Sequence, residues 1–133
     1  MPEHKSANQQ KTDSQKESQT LSYKYIVETA LEGIWVIDEK TSTIYVNESL
    51  CRLMGYSPEE MLNKPLSFFI SQDELEDHDQ RMSRRRKGLP EVYERKFIKK
   101  DGSEILMSVS ARPIFDDHGN FAGSFGHHTD ITA

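Results

Sequence analysis

A single cysteine, Cys51, stands in this chain. No internal disulfide can form, and the count fits a reducing compartment. Long apolar runs are missing too. The longest is far too short to cross a bilayer, and nothing at the start has the layout of a signal peptide. The chain is therefore expected to be cytoplasmic, with no membrane span. A strong basic excess is also lacking. Lys and Arg number 17 against 22 Asp and Glu, for a net charge of −5, and that sign argues against a nucleic-acid partner. No internal repeat is present. There is no nucleophile elbow, P-loop, H-E-x-x-H or paired-cysteine motif, so no catalytic residue is assigned and the chain is not expected to be an enzyme. After Met1 the first twenty residues, MPEHKSANQQKTDSQKESQT, hold no large apolar side chain. Such a stretch cannot bury enough surface to offset its ordering entropy. Residues 1–20 are read as a disordered tail, and 21–133 as one domain.

The domain begins with a helical pattern over 21–32, where Tyr23, Ile26, Val27, Ala30 and Leu31 recur at 3.6 spacing and Gly33 supplies the stop. GIWVID (33–38) and TIYVN (43–47) read as a hairpin around EKTS. Asn47 can cap a short helix ending at Gly55. SPEE (57–60) is a second start signal, with Ser57 as N-cap, Pro58 at the first helical position and Glu60 closing a capping box. A third helix is predicted over 72–87. The period then changes to two. EVYERKFIKK (91–100), SEILMSVSARPIF (103–115) and FAGSFGHHTDIT (121–132) are strands joined at DG and DDHGN. Hairpin-joined strands with helices segregated between them predict an α+β fold with an antiparallel sheet.

The segments EGIWVID, YVNESLCRLMGYSPEEMLNK, RKFIKKDGSEILMSVSARPIFDDHGNFAGSFG and the closing TDIT together resemble a PAS sensor domain over residues 21–132. The resemblance implies a five-stranded antiparallel sheet in the order 2-1-5-4-3, with short helices packed on one face around a pocket. It implies a sensory module that binds a small-molecule ligand, dimerises, or does both, and relays its state to a C-terminal effector such as the histidine kinase of a two-component system. The chain is thus expected to be part of a longer signalling protein. A homodimer is expected through helix 21–32 and the outer sheet face, where Ile34, Val36, Leu106 and Ile98 are placed. Asp130 and Thr132 are the implied relay residues.

Light sensing through a flavin–cysteine adduct is excluded, because Leu66 stands where the flavin-binding branch carries its cysteine. Cys51 reads as a small buried hydrophobe. The resemblance turns Trp35 and Ile37 inward, and Phe69, Met82, Tyr93, Phe97, Met107 and Val109 complete the ligand-pocket candidates with two histidines. Leu75, His78 and Met82 share one helical face, so His78 points to the pocket. No cofactor is required by the sequence. The alternative is haem b with its iron on His78, as in haem-binding relatives; the plainer reading pairs His78 with Glu74 one turn earlier. His127 and His128 point to opposite faces of a strand and cannot share a metal ion, so no metal site is assigned. The resemblance puts His128 inward, as first choice to hydrogen-bond a small polar or anionic ligand, against the plainer reading of a satisfied core histidine.

DELEDHDQRMSRRRKG (73–88) reads as a helix whose acids crowd its N-terminal half and whose bases crowd its C-terminal half. Ser71 and Glu74 would form its capping box, and Asp77 and Arg81 an i,i+4 pair.

Overall fold

The computed structural model describes residues 24–132. The tail assigned to 1–20 and the start of the first helix lie outside them. Five antiparallel strands form one sheet in the order β2-β1-β5-β4-β3. They are β1 (Gly33–Asp38), β2 (Thr43–Val46), β3 (Glu91–Ile98), β4 (Glu104–Phe115) and β5 (Phe121–Asp130). Among the described residues four α-helices accompany them, α1 (24–29), α2 (Glu48–Met54), α3 (Pro58–Met61) and α4 (Leu75–Arg86), with 3-10 turns at Leu66–Phe69 and Gln72–Glu74. The predicted strand order and α+β class are those observed.

The turns follow from their side chains. Asp38 Oδ1 accepts from the amides of Lys40 and Ser42 and closes the first hairpin. Asp101 does the same for Ser103 in the second, beside Gly102 at φ 89°. Asp116 holds the third through the amides of His118 and Asn120. Ser57, Pro58 and Glu60 build the predicted capping box at α3.

Asn47 organises the corner where α1, β1 and α2 meet. It is fully buried. Its Oδ1 accepts from Leu50 N as the N-cap of α2 and from Ile34 N of β1, at 3.0 and 2.9 Å. Its Nδ2 donates to Val27 O and Glu32 O. Capture of these carbonyls, with Ser49 Oγ donating to Ala30 O, ends the helix earlier than its pattern predicts. Helix is described only to residue 29, and Ala30 and Leu31 lie beyond it.

Three further expectations are corrected. Ile34 is buried, not displayed on the outer sheet face. It pairs with His127, whose ring meets Glu32, so the segment tied to Asn47 closes over it. The helix predicted over 72–87 starts as a 3-10 turn, Gln72–Glu74, and turns α-helical at Leu75. No Ser71–Glu74 capping box forms. The Ser71 hydroxyl bonds Asp73, and the Glu74 carboxylate accepts from the Lys96 amide of β3.

The core lies between the inner sheet face and the helices. Trp35 sits at its centre, with ring centroids 5.3 Å from Phe69, 5.6 Å from Phe97 and 5.4 Å from His128. Its indole N–H donates to Thr43 Oγ1, so no polar atom of the ring is left unpaired.

Replacing Asn47 with Ala removes a cap and strands the buried Ile34 amide. Asn47→Ala should lower unfolding free energy by about 3 kcal/mol. Urea denaturation followed by circular dichroism checks this; a loss below about 1 kcal/mol is incompatible with that role.

Candidate functional site

Helix α4 crosses the inner face of the sheet and leaves a small cavity against β5. Its volume is about 20 Å³, the space of one or two water molecules. His78, Met82 and Arg85 enter from α4, at i, i+4 and i+7 of one helical face. Ser124, Gly126 and His128 line the opposite wall at the period of two of β5. Gly126 makes room for the histidine ring: a Cβ there would meet His128 Cε1 at 2.7 Å. Trp35 and Ile37 of β1, Val109 and Ala111 of β4, Arg81 of α4, Tyr93 of β3 and Leu66 complete the lining.

An ion network seals the α4 side. Glu91, at the start of β3, accepts from Arg84 Nε at 2.8 Å, Arg81 Nη1 at 3.2 Å and Arg85 Nη2 at 3.2 Å. Arg85 is 1% exposed. Its Nη1 donates to Ser124 Oγ at 3.1 Å, and its Nε donates to Leu89 O. Further along the helix, Asp77 accepts from Arg81 and from the equally buried Arg95, whose Nη1 donates to Glu74 O. The Tyr93 ring lies between these two guanidiniums, 4.1 Å from Arg81 and 5.1 Å from Arg95.

Two histidines stand within this electropositive wall. His78 is buried and has no hydrogen-bond partner among the described residues. Glu74, its expected partner, serves Arg95 and Lys96 instead. Burial, and next the Arg95 charge, push the His78 pKa down to about 4. His128 is 2% exposed and its Nδ1 has no partner. Burial is the main cause that pushes its pKa down to about 4. Both rings are neutral at pH 7, and the Nδ1 of His128 has hydrogen-bonding capacity that the described residues leave unused. His127 points outward and meets Glu32 at 3.2 Å. Cys51 is buried in the core at α2, and burial pushes its thiol up to about 11. It lies outside the cavity lining and is not poised as a thiolate.

Of the pocket candidates, Trp35, Ile37, His78, Met82, Tyr93, Val109 and His128 line the cavity. Phe69, Phe97 and Met107 do not; they are core residues packed behind it. The iron-binding alternative on His78 does not fit this packing. A porphyrin needs a slot many times larger than the space beside His78, and Trp35, Phe69 and Phe97 fill the volume it would take. Asp130 and Thr132 lie at the end of β5. Thr132 N donates to Asp130 Oδ1, and Thr132 Oγ1 meets both the amide and the carbonyl of Leu106 on β4.

Arg85 and Ser124 were not foreseen as site residues. The signals were present: Arg85 continues the His78–Met82 stripe by three residues, and Ser124 continues the alternation of His128 back by four. Among the described residues no three of His, Cys, Asp or Glu gather as a metal-binding group.

Residues 31–133 match the family model described as PAS domain. A curated relative, the C4-dicarboxylate transport sensor protein DctS of Rhodobacter capsulatus, is 30% identical over 109 residues. That match takes in 79% of this chain but only 16% of the relative. Among solved structures, the PAS domain of an HTR-like protein from Haloarcula marismortui superposes with a TM-score of 0.77 at 20% identity, covering 92% of this chain and 99% of that one. A PAS domain from Colwellia psychrerythraea gives 0.77 at 21% identity, covering 85% and 97%.

The depressed histidine pKa values carry a pH dependence of stability. Each imidazole takes up its proton near pH 6.5 when unfolded but only near pH 4 when folded. The unfolded state therefore binds more protons in between, and stability present above pH 6.5 is lost as pH falls toward 4, by a few kcal/mol per histidine. Urea unfolding between pH 7 and 4.5 should show this loss. A His78→Gln, His128→Gln double variant should flatten it, and an unchanged slope rejects the two rings as its source.

Proposed function

The chain belongs to the PAS domain family of sensory signalling modules, and on that footing we propose that it is the input domain of a sensor protein of histidine-kinase type, reading the state of the α4–β5 cavity. One observation carries this reading. The strand that holds His128 over the cavity is the strand that ends at Asp130 and leads into Thr132, and Thr132 is fastened to Leu106 of β4. A change in the cavity has a direct mechanical route to the outgoing chain. The module senses and relays; catalysis belongs to an effector that follows it. The R. capsulatus relative is named for C4-dicarboxylate transport, but a dicarboxylate of that length exceeds a cavity of about 20 Å³. Dicarboxylate recognition is therefore not part of this proposal.

Dimerisation is the second element of the proposal. Tyr25, Ile26 and Leu31 are 70%, 59% and 96% exposed on one short segment at the start of the domain. Apolar side chains so placed are better covered than wet, and a second copy of the chain covers them. Sedimentation of the whole chain should show a dimer. An Ile26→Glu, Leu31→Glu variant should shift it to monomer by roughly tenfold in dissociation constant. A monomeric parent rules the interface out.

The relay reading has its own test. Met82→Ala enlarges the cavity from the helix side, across from β5. In amide NMR spectra, shifts should appear at Leu106, Ile131 and Thr132 as well as beside Met82. Shifts confined to α4 and its immediate neighbours reject the relay.

A further inference from the structure

We propose that the α4–β5 cavity is a binding site for a small monovalent anion of about the size of formate or nitrite. This rests on the reading of the cavity as the input site and adds the chemical class of what enters it.

The lining is built from hydrogen-bond donors and contains no acid. His78 and His128 approach from opposite walls, 5% and 2% exposed, and the buried Nδ1 of His128 has no hydrogen-bond partner among the described residues. A neutral imidazole has one N–H and can place it on either nitrogen, so each ring can turn a donor toward a bound anion. Arg85 forms the third side together with Ser124, whose hydroxyl accepts from Arg85 and donates to Arg112 O. Arg81 and Tyr93 complete the polar lining, and neither Asp nor Glu is among the residues that line the space. A cavity lined by a buried guanidinium and two neutral imidazoles, with no carboxylate, favours an anion over a cation.

Charge bookkeeping points the same way. Arg81, Arg84, Arg85 and Arg95 share only Glu74, Asp77 and Glu91 as ion-pair partners in this network. The network carries one more guanidinium than carboxylate, and two of its four arginines, Arg81 and Arg85, line the cavity. An anion beside the buried Arg85 offsets that excess.

Size supplies the upper limit. The volume of about 20 Å³ accepts a formate-sized ion in place of one or two waters. Flavin, haem and dicarboxylates are excluded from it by the Trp35–Phe69–Phe97 packing.

Sodium formate is the probe, with formamide as a neutral counterpart of the same shape. The whole chain is titrated at constant ionic strength while the imidazole resonances of His78 and His128 are followed by NMR. Formate should shift both saturably, with formamide binding roughly tenfold weaker or not at all. Ser124→Ala and, separately, His78→Leu should each raise the formate dissociation constant by about fivefold. Circular dichroism reports whether each variant folds, and a folded variant of either kind suffices for the comparison. Equal responses to formate and formamide, shifts that grow without saturating, or folded variants that bind formate like the parent overturn the proposal. Such a failure leaves the Met82→Ala relay at Thr132 untouched, so the anion assignment and the input reading fall separately.

Discussion

The arrangement of the inner face depends on one carboxylate. Glu91 accepts from Arg81, Arg84 and Arg85 across the gap between α4 and β3. Arg85 is buried, so its charge has no water to fall back on. Removing one partner of such a pair costs roughly 3–5 kcal/mol, whereas the intact pair contributes little net stability. Glu91 is therefore better understood as a constraint than as a source of stability. It fixes how α4 lies across the sheet, and Ser124 and Leu89 hold Arg85 in register by its remaining donors. The cavity is what this placement leaves between helix and strand.

The same constraint sets the electrostatics of the site. Guanidiniums held beside the cavity disfavour further positive charge, and desolvation acts in the same direction on both histidines. The rings stay neutral in a wall that carries permanent charge. Among the described residues the Nδ1 of His128 is left without a partner there, while Ser124 takes up a donor of Arg85.

Much of the fold was legible in the sequence because strand and turn chemistry is local. The period-two patterns of β3, β4 and β5, the Asp-led turns and the caps at Asn47 and Ser57 each depend on residues close in the chain. The errors came where a distant partner outcompeted a local one. Glu74 has the spacing for a capping box, but the Lys96 amide of β3 takes its carboxylate. The arginine run fits a macrodipole argument, yet Arg84 and Arg85 are committed to Glu91. Ile34 alternates onto the outer face and is nevertheless buried, because Asn47 draws the preceding segment over it. The resemblance to a known family placed Trp35, His78 and His128 around one space. It could not show that Phe69, Phe97 and Met107 fill most of that space, since packing density is not written in any one segment.

The pleat of β5 lets the proposed sensing and relay roles share one strand. Alternate residues face opposite ways, so His128 belongs to the cavity and His127 to the surface contact with Glu32. His128 lies between Gly33 of β1 and Val109 of β4 in the sheet register. Neither neighbour can yield easily: a Cβ at Gly33 would already press on Leu50, and Val109 is core. Two residues beyond His128, Asp130 pairs with Met107, and beyond it Thr132 grips Leu106 through both amide and carbonyl. That grip is exposed and made of a few hydrogen bonds, each worth about 1 kcal/mol. A displacement too small to disturb the core can therefore break or remake it. In the proposed relay, this exposed contact of Thr132 is the element that would take up two states.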